Sequence, residues 1–224
     1  TAVVCVLFPA DANRRGFTTL TGWRQAPLHL QALLCQHVHI YTRWTTALPG
    51  LCFLGYTSMA VALLTFLPQQ AGANRAWLAV ALPLMEVAGT FCAGWIAQVW
   101  ASPLRLSFWA FAAVGLVGLS FGLATGTGWW VPPVALALMF AAGVSGGSSF
   151  AMIPFLNEEP SQQARANGAV AQMGNLGSTL GPSSFALAIS GMGDMGLVVG
   201  VLLCAALGLL LTVWGNAHYQ RAAA

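Results

Sequence analysis

Residues Trp77–Val99 read WLAVALPLMEVAGTFCAGWIAQV, and this stretch decides the fold. Glu86 is its only charged residue, and the rest is overwhelmingly apolar. An α-helix rises about 1.5 Å per residue, so about 20 apolar residues cross a hydrocarbon core about 30 Å thick. A strand does not explain an apolar run of this length. In lipid, moreover, each segment must satisfy its own backbone groups, as a helix does. Trp77–Val99 therefore reads as a transmembrane helix.

Outward from it lie five further segments of the same kind: Ala47–Leu67, Leu106–Ala124, Trp130–Phe155, Asn167–Ile189 and Met195–Trp214. The expected fold class is an all-α membrane protein, a six-transmembrane-helix bundle whose short connections make neighbours antiparallel. Residues 1–8 (TAVVCVLF) are apolar but too short to span. They read as the remnant of a preceding transmembrane helix, and hence the chain as a fragment. Residues 9–46 form a long hydrophilic loop, 47–216 the membrane domain, and 217–224 a tail.

Composition agrees with this map. The chain is 58% hydrophobic and 6% charged, with a mean hydropathy of +0.74. Soluble domains carry about 25% charged residues, so most of this surface faces lipid. The net charge of +3 is too sparse for a nucleic-acid footprint, which needs a clustered basic face. The arginines set topology instead. Arg14, Arg15, Arg24 and Arg43 lie in the long loop; on alternate loops, Arg105, Arg165 and Arg221 fall on the same side, and only Arg75 falls opposite. By the positive-inside rule the long loop and C-terminus are cytoplasmic, and a bacterial inner membrane is the expected location.

Within the loop, Leu28–Ile40 (LHLQALLCQHVHI) suggests an amphipathic surface helix. His29, His37 and His39 read as solvated loop residues, since positions two apart point to different helical faces. Cys5, Cys35, Cys52, Cys92 and Cys204 show no CxxC and no ligand spacing, so neither a metal site nor a cofactor is indicated.

Polar groups inside a membrane usually face a bundle interior or an aqueous cavity. Leu106–Ala124 offers only Ser107 and Ser120, and Met195–Trp214 only Thr212, so these two helices read as peripheral. The other four hold the candidates for a substrate or proton pathway. Glu86 is the one acid deep inside a span and a candidate proton carrier, with Thr90 one turn on. Tyr56 is the best substrate contact of the first span, whereas Thr57 and Ser58 read as core. Gln172, Asn175 and Thr179 share one face of the fifth span, while Gly174, Gly177 and Gly181 share the opposite face and allow close helix packing. Ser145, Ser148, Ser149 and Met152 share a face of the fourth span, which Gly143, Gly146 and Gly147 are expected to interrupt.

This pattern resembles the C-terminal six-helix half of the major facilitator superfamily, over nearly the whole chain. In that family the first, second, fourth and fifth helices of each half line the cavity. Gly94-Trp-Ile-Ala-Gln98-Val-Trp-Ala-Ser-Pro-Leu-Arg105 looks like a degenerate second copy of the family's Gly-x-x-x-Asp-Arg loop motif, with Gln98 where the acid would be. Glu158-Glu159-Pro-Ser-Gln-Gln-Ala-Arg165-Ala-Asn-Gly168 resembles its cytoplasmic Glu…Arg…Gly element. The resemblance implies secondary active transport of a small solute by alternating access, coupled to a proton or another gradient. It also implies a missing N-terminal six-helix half as partner, and cytoplasmic gating by these charged helix ends.

Two other classes compete. Gly143-Val-Ser145-Gly146 matches the GxSG motif of rhomboid intramembrane proteases. A serine nucleophile needs a general base, yet Met195–Trp214 contains no histidine and His218 lies beyond it. No catalytic residues are assigned on that ground. The third class is a structural membrane subunit that transports nothing.

Overall fold

A computed structural model describes residues 40–70, 75–124 and 131–223. The chain divides into two units, residues 1–39 and 40–224. The first unit lies outside the described residues, and with it the helix remnant, most of the long loop, the three loop histidines, Cys5, Cys35, Arg14, Arg15 and Arg24.

The second unit is six α-helices, with no strand among the described residues. They are α1 (Trp44–Gln70), α2 (Arg75–Val99), α3 (Pro103–Ala124), α4 (Val131–Leu156), α5 (Pro160–Met192) and α6 (Asp194–Ala223). Each contains its expected apolar segment almost entire and extends it by up to about nine residues at an end. The assigned tail at 217–224 is instead helical to Ala223, because α6 continues past its apolar part with helix-forming residues.

Five helices (α1, α2, α3, α4 and α6) are long and apolar enough to cross a membrane, and the chain is an integral membrane protein. Six such helices were expected from the sequence. The exception is α5, which has 33 residues but is diluted by Gln172, Asn175, Ser178, Thr179, Ser183 and Ser184. Length is not its limitation; polarity is.

Packing is mostly between helices that are not sequential neighbours. The largest interfaces are α1 on α5 and α2 on α4. Next come α3 on α4, α3 on α6, α1 on α4 and α1 on α6. In the order α2, α4, α1, α5 the helices form one layer, with α3 and α6 behind it. Exchanging α1–α3 for α4–α6 nearly reproduces this scheme: α1 on α5 becomes α4 on α2, and α3 on α4 becomes α6 on α1. The same contact pattern thus occurs twice.

The two largest interfaces are made by glycines. A Cβ on Gly143 of α4 would run into the Glu86 carbonyl of α2, and one on Gly89 would run into the Phe140 carbonyl. On the other pair, added Cβ atoms at Gly177 and Gly181 of α5 would collide with Thr57 and Ser58 of α1. In lipid there is little hydrophobic gain in bringing helices together, so close backbone approach supplies the packing. Both pairs run parallel, since the contacts advance together along the two chains. The glycines expected to interrupt α4 therefore do not: α4 is continuous through Gly143–Gly147, held by the neighbours pressed against it.

One proline defect is repaired from a distance. Pro49, inside α1, has no N–H for the Thr45 carbonyl. The Asn157 side chain, just past α4, donates to that carbonyl at 3.0 Å and to its own Ile153 carbonyl at 3.0 Å. Asn157 is fully buried. This ties the start of α1 to the end of α4.

Candidate functional site

Glu86 projects from the side of α2 that faces α4 and α1, away from the exposed stripe of Trp77, Val80, Leu84, Val87, Phe91 and Trp95. Its backbone is pinned. Thr90 Oγ1 lies 3.1 Å from both the Glu86 and the Gly143 carbonyls, so its one proton is shared between the two helices. On α1, the Tyr56 ring fills the space left by the absent side chain of Gly146, where a Cβ would sit 2.7 Å from the ring. That position lets the Tyr56 hydroxyl donate to Glu86 Oε1. Three helices thus meet at a carboxyl group.

Aromatic side chains extend the site. Phe53, three residues before Tyr56, has its ring 5.1 Å from that of Tyr56 and 4.9 Å from that of Phe150, edge-on to the latter. Phe53 also packs on Gly174 of α5, which links the site to the fourth helix of the layer. Phe150 is 47% exposed despite its size. A cavity of about 700 Å³ opens between α2 and α4, lined by Thr90, Gly94, Gln98, Gly147 and Phe150 among others. Glu86 and Tyr56 do not line it; Thr90 and Phe150 mark where it comes nearest to them in sequence and packing.

The other expected pathway residues divide into two groups. On α5, Tyr41 donates to Gln172 Oε1 at 2.8 Å, while Asn175 and Thr179 are exposed and the Thr179 hydroxyl returns to the Asn175 carbonyl. Leu176, Leu180 and Leu187 occupy a different exposed flank of the same helix, so α5 presents one polar and one apolar side. Ser145 and Ser148 of α4 differ from expectation. Both are completely buried, and their hydroxyls donate to the Ala142 and Ser145 carbonyls of their own helix at 2.7 and 2.8 Å. Small hydroxyls with no other acceptor in reach satisfy themselves this way, and here they serve packing rather than a cavity wall.

The GxSG stretch carries no serine–base pair among the described residues. His218 sits near the end of α6, its ring 4.5 Å from that of Trp214 and 5.9 Å from that of Trp44, with Nδ1 at 3.0 Å from the Trp214 carbonyl. Nor are the residues of the charged motifs gathered into one latch. Gly94 and Gln98 line the α2–α4 cavity, whereas Arg105 lines a separate groove between α3 and α6. Glu158, Glu159 and Arg165 are exposed at the start of α5 and make no ion pair among the described residues. No cluster of His, Cys, Asp and Glu suited to a metal occurs among the described residues.

Phe53, Phe150, Tyr41 and Asn157 were not singled out from sequence. An aromatic residue inside an apolar run has no local marker, and only the fold brings Phe53 to Phe150. Asn157 had one usable signal, a lone amide at a helix end within the described membrane unit.

The arrangement offers a carboxyl with a phenol donor and no cationic partner among the described residues. Such a group can take up a proton or meet a cation, and aromatic faces nearby favour the latter as well. Compared with known proteins, the chain matches no protein-family model and no curated protein.

Proposed function

We propose that the chain is one half of a secondary active transporter, similar to the C-terminal six-helix half of the major facilitator superfamily. In this reading all six helices span the bilayer. The exposed polar flank of α5 meets a second six-helix half across a wet cavity, because the exposed Asn175 and Thr179 are costly against lipid. Two further features support it. Helices α1, α2, α4 and α5 share a layer with α3 and α6 behind, and the twice-repeated contact pattern is what 3+3 internal repeats produce.

The observation that carries the proposal is Glu86, a carboxyl within a membrane-crossing helix whose only side-chain partner among the described residues is Tyr56. An intramembrane acid is costly unless it does work, and proton or cation coupling is the work that suits it. Glu86 takes the coupling proton or the cationic part of the solute, and Tyr56 holds the carboxyl in place. The two halves then rock about this site.

Flux in proteoliposomes tests this. The complete protein, with its N-terminal half, should move solute in response to a pH gradient, and Glu86→Gln should abolish that dependence. Transport with unchanged coupling in the variant removes Glu86 from the mechanism. Absence of any gradient-dependent flux across a broad solute panel would leave the chain a structural subunit.

A further inference from the structure

A second site lies on the opposite layer. Between the start of α3 and the end of α6 is a groove of about 320 Å³ lined by Arg105, Phe108, Trp109, Val213, Asn216 and Gln220. Among the described residues, only these two helices line it. Its upper part is a cluster of hydrogen-bond donors: the Arg105 guanidinium and the Asn216 and Gln220 amides. None of these three side chains has a hydrogen-bond or ion-pair partner among the described residues, and no acid lines the groove.

Below the donors the walls turn apolar. Trp109 and Leu116 follow Arg105 at steps of four and seven residues along α3, and both are 68% exposed. Val213 and Leu210 continue the Gln220 stripe along α6 and are 55% and 70% exposed. The level is that of a membrane interface, since Trp44, Trp214 and Tyr219 gather at the same end of the bundle.

Donors at the interface above an open apolar trough match one kind of molecule, an amphiphile with an anionic head and an acyl chain. The geometry points to a binding site for an anionic phospholipid in the leaflet at the arginine-bearing end. The phosphate meets Arg105 with Asn216 and Gln220, and one chain lies along Trp109, Val213 and Leu116. A guanidinium suits this role because its planar fork matches phosphate oxygens. The site lies behind the layer that holds Glu86 and shares no lining residue with it.

Native mass spectrometry of the purified protein tests it, with phosphatidylglycerol and phosphatidylcholine of identical chains as probes. Wild-type protein should retain phosphatidylglycerol about fivefold more than phosphatidylcholine, the increment of one interfacial arginine. Arg105→Gln should erase that preference, and Arg221→Gln, outside the groove, should keep it. Equal retention of the two lipids by wild type, a preference that survives R105Q, or its equal loss in R221Q overturns the site. A variant-free check keeps the outcome readable if R105Q fails to fold. A photoactivatable phosphatidylglycerol in phosphatidylcholine vesicles should label peptides spanning residues 104–109 and 212–220, and labelling that avoids them rejects the assignment. Excess inorganic phosphate should not reduce the labelling; displacement would identify a free-anion site instead.

Discussion

The Tyr56 hydroxyl donates to Glu86 Oε1 and so joins α1 to α2, two helices that otherwise share little surface. Its energetic role follows from where it sits. Interhelical hydrogen bonds in membranes contribute about 0.6 kcal/mol on average and up to about 1.7 kcal/mol, because the separated helices also find partners. A double-mutant cycle of Tyr56→Phe and Glu86→Gln, read from unfolding in detergent micelles, should give a coupling energy in that range. A coupling indistinguishable from zero would show that the bond does not position the carboxyl.

The α2–α4 interface has no room at Gly143. Gly143→Ala places a methyl group against the Glu86 backbone carbonyl, which cannot swing aside as a side chain could. Overpacking of this kind costs about 1–3 kcal/mol. Gly168→Ala on α5 is the control, since a Cβ there meets nothing within 4 Å. It should be neutral or stabilising by up to about 1 kcal/mol, the helix-propensity gain of Ala over Gly. Equal thermal stability of the two variants would contradict the close approach.

Asn157 and Pro49 should be coupled. Asn157→Ala removes the side-chain donor to the Thr45 carbonyl, at a cost of about 0.5–1.5 kcal/mol. Pro49→Ala restores a backbone N–H in α1 that can take over that carbonyl. The double variant should therefore be more stable than Asn157→Ala alone. If Pro49→Ala does not rescue, the amide matters for some contact other than the proline defect.

Tyr41, before the first membrane segment, gives a pH signature. Burial pushes its phenol above the ordinary tyrosine value, so the folded protein holds this proton more tightly than the unfolded chain. The contribution is fully present below about pH 10, the unfolded value, and is lost as pH rises through the folded one. Wild-type stability should thus fall more steeply than that of Tyr41→Phe above about pH 10. Parallel curves would mean that Tyr41 is not shielded.

Much of the fold is legible because bilayer thickness sets a length that sequence either meets or fails. The six helices appear where the runs of about 20 residues are read, although α5 is too polar to count as a membrane-crossing run. The glycines at 174, 177 and 181 also stand out, since a seven-residue spacing of absent side chains is a local pattern. Pairing is less visible. Nothing in the order of segments says that α1 packs on α5 while barely touching α2; that is decided by which small-residue faces match. Ser145 and Ser148 show the same limit, because a hydroxyl on a helix looks alike whether it lines water or turns to its own carbonyl. Glu86 is conspicuous by charge alone, but Tyr56 reaches it, and Phe53 reaches Phe150, only once the helices are packed.

The order in which the ribosome delivers these helices is at odds with the order in which they fit. Thr57 and Ser58 form a groove on α1 whose partner, the glycine face of α5, emerges only after α2, α3 and α4 have been made. Meanwhile α5 is too polar on one flank to enter lipid readily by itself. If α5 crosses the bilayer as proposed, docking of its glycine face on α1 shields one side of it during insertion. Variants that spoil this surface should then lower the amount of folded protein recovered from the membrane fraction.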